Sequence, residues 1–127
     1  MHDVPQGKQM PQQTQVAIIG AGFGGLAMAI RLLQNNIQDF VILEKAHDIG
    51  GTWRENQYPG AACDVQSHMY SLSFAPKSGW SKRYAEAAEI FAYIQSLIST
   101  YGLKKYCQLN SEVIAAEYNE QRCDWTL

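Results

Sequence analysis

The sequence predicts an α/β fold that combines a strand–helix–strand unit, a long irregular loop, one long helix and a terminal β-hairpin. Two short apolar runs lie at 15–19 and 39–44. The first is followed directly by Gly20, and the second ends in Glu44. Apolar residues between them recur around a helix. Strand, helix and strand within about thirty residues form a βαβ unit, which requires parallel strands and a right-handed crossover.

The elements of this unit are predicted to be largely buried. The strands at 15–19 and 39–44 are near-continuous apolar runs, as expected of strands covered on both faces. The helix over 26–33 is apolar on almost every side. Asn35 and Asn36 follow it, and asparagine tolerates the left-handed conformation in which many helices end.

Residues 45–80 follow neither a helical nor a strand period. Glycine, proline, serine and aromatic residues dominate the segment, which predicts a long ordered loop with one helical turn within 64–71. A loop of this length inside a compact domain indicates a function.

Helical periodicity returns at residue 85 and predicts a long helix that Gly102 closes. Alternating residues then predict three strands. They lie at 106–109, 111–118 and 123–127, with a turn at 119–121 between the last two.

Gly20, Gly22 and Gly25 form the pattern G-x-G-x-x-G between the first strand and the helix. In a dinucleotide site these glycines make the tight turn, admit the pyrophosphate to the backbone and let helix and strand pack closely. The helix N-terminus then attracts the anion. Glu44 could accept hydrogen bonds from both ribose hydroxyls and would repel a 2′-phosphate. The pattern predicts a Rossmann-like FAD or NAD site; the alternative is that the glycines serve packing alone and Glu44 is a solvated strand end.

Composition excludes several classes of protein. The 127 residues fit one domain, and a net charge of −2 gives no basic face for nucleic acid. No apolar run approaches the ~20 residues of a membrane span. Cys63, Cys107 and Cys123 are too widely spaced for a disulfide framework or zinc site, which favours a cytoplasmic location. Residues 1–14 are rich in Gln, Pro and Gly and are predicted to be a disordered tail.

The family resemblance rests on four segments in order: GAGFGG, VILEKAHDIGGTW, YPGAACDVQSHMYSLSF and WSKRYAEAAEIFAYI. They resemble the N-terminal part of class B flavoprotein monooxygenases, and more closely Baeyer–Villiger monooxygenases, which share GG-x-W, Y-P-G-A-x-x-D and W-S/T-x-x-Y. The resemblance implies that 15–127 is the N-terminal part of an FAD-binding domain, within a fold of two dinucleotide-binding domains. The NADPH-binding domain and the rest of the FAD domain would then be absent, and the chain alone is expected to be inactive.

Enzymes of this family use NADPH to reduce FAD and then O₂ to oxidise a ketone or a heteroatom. The resemblance implies that Gly20, Gly22 and Gly25 hold the FAD pyrophosphate and that Glu44 holds the adenosine ribose. Asp64, the one candidate catalytic residue, would reach the isoalloxazine. The other implied cofactor contacts are Gly51, Thr52, Trp53, Arg54, Glu55, Ala62, Cys63, Tyr70 and Val113.

These contacts have distinct implied roles. Residues 52–55 would line the ribityl and pyrophosphate side, and Tyr70 would lie at the isoalloxazine. Residues 62–64 would also lie near NADPH, although many relatives have arginine at the place of Ala62. Val113 would present its backbone to the adenine from the strand that follows the long helix.

Several alternatives stay open at this point. Asp64 could be only a helix N-cap, and Trp53, Tyr58 and Tyr70 could be plain core aromatics. His47 and His68 lack partners at metal-ligand spacing, so no metal site is expected. Cys63 lies beside Asp64, whose charge would raise a thiol pKa and disfavours a reactive nucleophile.

At the level of the whole chain, one alternative is a stand-alone nucleotide-binding or interaction module without catalysis. Another is a different flavoprotein, although the absence of C-x-x-C disfavours a disulfide reductase and Y-P-G-A-x-x-D disfavours an amine oxidase. A sheet that ends after residue 127 would leave an unpaired edge and exposed apolar faces on the long helix, which predicts self-association.

Overall fold

The computed structural model describes residues 13–127. Residues 1–12 of the predicted disordered tail lie outside the described residues. Thr14, which was predicted to belong to the tail, donates a hydrogen bond from its hydroxyl to the Asp39 carboxylate at 3.0 Å. The Gln15 backbone N–H donates to the other Asp39 oxygen at 3.1 Å. Residues 14 and 15 are therefore attached to the segment that precedes β2.

The predicted βαβ unit is confirmed. Strand β1 (Val16–Ile19) pairs in parallel with β2 (Phe40–Leu43), and helix α1 (Phe23–Gln34) connects them. Helix α1 ends at Asn35, and Asn36 adopts a φ of +60°. The asparagine pair therefore provides the left-handed helix end that the sequence predicts.

Strand β3 (Cys107–Gln108) adds to the other edge of β2, so that the sheet order is β1-β2-β3 and all pairs are parallel. The strand is shorter than the predicted 106–109, because residues 103–106 form a 3₁₀ turn. Among the described residues no strand pairs with the outer edge of β1. The prediction that β1 is covered on both faces was therefore wrong: Ile18 is buried, but Ile19 is 62% exposed.

Helix α3 (Ala87–Tyr101) is the predicted long helix, and Gly102 closes it with a φ of +62°. Its apolar side packs against α1 and contributes to the core. The fully buried core side chains are Leu26, Ile30, Ile42, Ile90, Ile94 and Leu103. The predicted exposed apolar faces on this helix were wrong, since its large aliphatic residues point inward and its exposed positions are small or polar.

The long loop contains more regular structure than the sequence indicated. A four-residue helix, α2 (Thr52–Glu55), was not predicted, whereas the predicted turn within 64–71 is present as a 3₁₀ helix at Ser67–Met69. An antiparallel bridge between Ala62 and Glu86 connects the loop to the start of α3.

A terminal hairpin is present, as predicted, but its strands are short. Strand β4 (Glu117–Asn119) pairs with β5 (Asp124–Thr126), and the turn covers 120–123 instead of 119–121. The predicted strand at 111–118 was wrong for residues 111–116, which have no strand partner among the described residues. No helix in 13–127 has the length and hydrophobicity needed to cross a bilayer.

Candidate functional site

The glycine-rich loop between β1 and α1 has the geometry that each of its glycines predicts. Gly20 adopts a φ of +93°, which makes the turn out of β1. A Cβ on Gly25 would lie 1.9 Å from the Gly20 carbonyl oxygen, so only glycine permits this approach of helix and strand. Helix α1 begins at Phe23 after the N-cap Gly22, and it has neither a side-chain cap nor an acid in its first turn. Its first N–H groups therefore have no partner within the helix and form a positive end suited to an anion.

Glu44, directly after β2, is tied to this loop. One carboxylate oxygen accepts a hydrogen bond from the Ala21 N–H at 2.7 Å, and the other accepts from the Ala46 N–H at 2.9 Å. Glu44 is buried, so the alternative of a solvated strand end is wrong for this residue. A carboxylate has about four acceptor positions, and two of them remain after these bonds.

The glycine pair at 50–51 packs against the glycine-rich loop. The Gly50 N–H donates to the Ala21 carbonyl at 3.0 Å. A Cβ on Gly51 would lie 2.9 Å from the Gly22 Cα, and Gly51 has a φ of +53°. The two loops therefore meet backbone to backbone, which side chains larger than hydrogen would prevent.

Helix α2 carries the four predicted residues Thr52, Trp53, Arg54 and Glu55. The Trp53 indole N–H donates to the Tyr70 hydroxyl at 3.0 Å, and the Arg54 guanidinium bonds to Glu55 at 3.0 Å. The Arg54 Nε is buried and has no partner among the described residues. Because that atom is covered by packing, a ligand could reach it only if the Arg54 side chain moved.

Tyr70 lies in a group of aromatic rings beside the glycine-rich loop. Its ring meets Phe23 edge-on at 5.6 Å and Trp53 at 5.8 Å between centroids. Burial raises the pKa of Tyr70, and the hydrogen bond from Trp53 partly opposes this effect. The phenol therefore stays neutral at physiological pH.

Residues 61–64 alternate between the core and solvent as they run along the start of α3. The Cys63 N–H donates to the Ala85 carbonyl at 2.9 Å, and Cys63 is buried, whereas Ala62 and Asp64 are exposed. The Cys63 side chain thus lies in the core, and a contact from it to NADPH does not fit this arrangement. Asp64 does not cap the following 3₁₀ helix, whose N-cap is Gln66 without a side-chain hydrogen bond.

Val113 does not lie in a strand, contrary to the prediction. The segment before it runs beside the end of β2, where the Asn110 N–H donates to the Ala46 carbonyl and the Ser111 N–H to the Glu44 carbonyl, both at 2.9 Å. Val113 follows two residues later and is half-buried. Val113 thus closely follows the segment that is hydrogen-bonded to residues 44 and 46.

Other features lie outside this arrangement. An open groove of about 540 Å³ lies between residues 75–77 and α3, and none of the predicted cofactor residues lines it. A dinucleotide bound over loops at a helix N-terminus needs no closed cavity, so the groove does not relocate the site. No metal-binding cluster of His, Cys, Asp or Glu occurs within residues 13–127.

Three residues in the site were missed by the sequence analysis. Ala21 contributes only its backbone, which no side-chain pattern reveals. Gly50 could have been recognised from its place beside Gly51. Phe23 is the variable residue directly after Gly22, and only the fold brings its ring to Tyr70.

Comparisons with known proteins agree with this geometry. A family model described as an NAD(P)-binding Rossmann-like domain matches residues 18–88. A Baeyer–Villiger monooxygenase from Streptomyces coelicolor is 43% identical over 120 residues, which are 94% of this chain and 23% of that protein. An FAD-binding monooxygenase from Aspergillus terreus is 42% identical over 92% of this chain and 21% of its own length.

The fold comparison gives the same result. A solved structure of an oxidized steroid monooxygenase bound to NADP superimposes with a TM-score of 0.83 at 34% identity, covering 89% of this chain and 22% of that one. The chain spans about a fifth of the length of the curated relatives it matches. The predicted Rossmann-like fold and the resemblance to the N-terminal part of Baeyer–Villiger monooxygenases are confirmed.

Proposed function

Because this chain belongs to the family of NAD(P)-binding Rossmann-like domains, we propose that it is the FAD-binding part of an NADPH- and O₂-dependent flavin monooxygenase. The observation that carries the proposal is the position of the Ala21 backbone. Its N–H donates to Glu44 and its carbonyl accepts from the Gly50 N–H, so one residue joins the three segments that a dinucleotide would contact.

The chain offers suitable partners for each portion of FAD. Gly20, Gly22 and Gly25 would form the pyrophosphate site at the uncapped start of α1. The two remaining acceptor positions of the Glu44 carboxylate match the two hydroxyls of an adenosine ribose. A 2′-phosphate would meet the same carboxylate and be repelled, which favours FAD over NADP at this position.

The flavin half would bind over the loop that follows Gly51. Residues 52–55 would line the ribityl and pyrophosphate portion, and Val113 would meet the adenine through its backbone. Trp53 and Tyr70 are fixed to each other by a hydrogen bond and would cover one side of the isoalloxazine, excluding water from it. NADPH would approach at residues 62–64, where only Ala62 and Asp64 are exposed.

When bound, the flavin supplies the chemistry of reduction by NADPH and of oxygen transfer to the substrate. The candidate catalytic residue of this chain is Asp64. It is exposed and lies six residues before Tyr70, on the other side of the short 3₁₀ helix Ser67–Met69. A fixed negative charge there would orient a cationic partner or hold a proton near the flavin.

The substrate class we propose is a ketone, oxidised in a Baeyer–Villiger reaction, or a heteroatom compound. The similarity to a Baeyer–Villiger monooxygenase supports it. A chimera tests the proposal: this chain replaces the matched segment of the Streptomyces relative, and NADPH oxidation is followed with and without a cyclic ketone or a sulfide. We expect substrate-stimulated turnover that is lost in the Asp64→Asn chimera although FAD is retained. Undiminished turnover in that variant would remove Asp64 from the mechanism.

A non-catalytic FAD-binding module is the second candidate, since the residues that would hold the pyrophosphate and the ribose both belong to this chain. It predicts that the isolated chain takes up FAD but that the chimera does not oxidise NADPH. A chain that takes up no FAD contradicts both candidates.

Two further properties belong to the same proposal. The outer edge of β1, together with Ile19 and Met28, which are 62% and 52% exposed, favours self-association of the isolated chain. Strictly monomeric elution in size-exclusion chromatography at high concentration would contradict it. The three widely spaced free cysteines favour a cytoplasmic location.

A further inference from the structure

Tyr93, on the inner side of α3, connects the core to a turn of the cofactor loop. Its hydroxyl donates to the Ala75 carbonyl at 2.6 Å and accepts from the Leu72 N–H at 3.0 Å. Leu72 and Ala75 also bridge to each other, with the Ala75 N–H bonded to the Leu72 carbonyl at 2.9 Å. The phenol therefore closes a turn whose two ends it holds at the same time.

This turn begins two residues after Tyr70, so its position determines where Tyr70 can lie. The Tyr93 ring is also 6.0 Å from Phe23, and Phe23 in turn meets Tyr70 at 5.6 Å. Tyr93 thus reaches Tyr70 by two routes, through the backbone of the turn and through the ring of Phe23. Tyr70 then fixes the indole of Trp53.

We propose that Tyr93 is a positioning residue for the aromatic pair Trp53 and Tyr70, which it holds in register for the isoalloxazine through the 72–75 turn and the Phe23 ring. The inference rests on the proposed function, since it requires a flavin at this pair. Tyr93 itself does not touch the flavin in this arrangement.

The hydroxyl is separable from the packing role of the ring. The Tyr93 side chain is buried among core residues, and phenylalanine would keep that packing. Its two hydrogen bonds go only to the turn. Burial raises the pKa of Tyr93, so that the phenol remains a hydrogen-bond donor throughout the neutral range.

The test compares Tyr93→Phe with Tyr101→Phe, a tyrosine on the same helix whose hydroxyl has no hydrogen-bond partner among the described residues. Three quantities are measured for each protein: the melting temperature, the FAD dissociation constant, and the fluorescence of bound flavin, which nearby tyrosine and tryptophan quench. For Tyr93→Phe, which removes both hydrogen bonds to the turn, we expect FAD affinity about tenfold weaker and a partial return of flavin fluorescence. Tyr101→Phe should match the wild type in FAD affinity and in flavin fluorescence.

The outcomes separate the inference from the proposed function. A wild-type chain that binds no FAD contradicts both. A wild-type chain that binds FAD, together with a Tyr93→Phe variant of lower melting temperature but unchanged affinity and quenching, overturns the inference alone and leaves Tyr93 a structural residue. If Tyr93→Phe does not fold, Phe23→Leu interrupts the second route, and unchanged flavin quenching in that variant overturns the inference.

Discussion

The Ala21 backbone N–H and the Glu44 carboxylate are joined by a hydrogen bond of 2.7 Å that spans 23 positions of the chain. It fixes the glycine-rich loop against the end of β2 without any ligand. Hydrogen bonds to charged groups contribute about 1.5–3 kcal/mol, and this one is buried. The site is therefore preorganised, and a dinucleotide would not have to order the loop on binding.

Glu44→Gln should destabilise the protein by about 2 kcal/mol, because the amide keeps one acceptor oxygen and turns its NH₂ group toward a backbone donor. FAD binding should weaken in the same variant. Urea denaturation and flavin titration measure the two effects. Glu117→Gln, at an exposed position, is the control and should change the free energy of unfolding by less than about 0.5 kcal/mol.

Gly25→Ala should destabilise the protein by about 3 kcal/mol, because the new Cβ would lie 1.9 Å from the Gly20 carbonyl oxygen. The neighbouring Gly24→Ala is a matched control, since nothing lies within 4 Å of its Cβ position. Within helix α1 this second change should stabilise by about 0.5–1 kcal/mol. If urea denaturation gave the same change in the free energy of unfolding for Gly25→Ala and Gly24→Ala, close packing of α1 against β1 would be contradicted.

Gly51→Ala should weaken FAD binding by about tenfold, because its Cβ would push the 50–51 turn away from Gly22. Gly79→Ala is the control for backbone strain. Gly79 also has a positive φ, of +70°, but its Cβ position is open. Both variants should lose stability because alanine disfavours a positive φ, with the larger loss in Gly51→Ala, whose Cβ would also lie 2.9 Å from the Gly22 Cα. Only Gly51→Ala should lose FAD affinity in a fluorescence titration.

Cys107 makes the stability of the protein depend on pH at alkaline values. Burial, with a smaller effect from the Glu44 charge, raises the pKa of Cys107 to about 11. The pKa of a thiol in the unfolded chain is about 8.5. Below that lower value the thiol is protonated in both states. Above it the unfolded state loses its proton first, so the free energy of unfolding should fall until pH about 11.

Urea denaturation of the wild type and of Cys107→Ser between pH 8 and 11 isolates this effect, since lysine and tyrosine titrate equally in both proteins. The wild type should lose more stability over this range. Parallel curves would show that the thiol titrates normally in the folded state.

The sequence was informative where a local pattern decides the structure. Glycine after β1, the asparagine pair after α1 and Gly102 after α3 each mark a chain reversal through their own backbone preferences, so these boundaries could be predicted. Helix α2 could not be predicted, because four residues carry no period; it forms where the Gly50 and Gly51 carbonyls accept its first N–H groups.

Long-range pairing explains the errors beyond α3. Alternation at 111–118 predicted a strand, but Asn110 and Ser111 donate their N–H groups to residues 46 and 44, and the chain then leaves the sheet. The sequence likewise predicted which residues belong to the site, but it did not predict which of them contact one another. The hydrogen bond between Trp53 and Tyr70 and the inward side chain of Cys63 depend on how the loop meets α3.

A crystal structure of the protein with FAD tests the central claim most directly, because it locates each portion of the cofactor. The preorganised site predicts the pyrophosphate at the N-terminus of α1, within hydrogen-bond distance of the backbone that follows Gly22, and the adenosine ribose hydroxyls on the Glu44 carboxylate. FAD bound in the groove beside α3, or with its ribose away from Glu44, would contradict it.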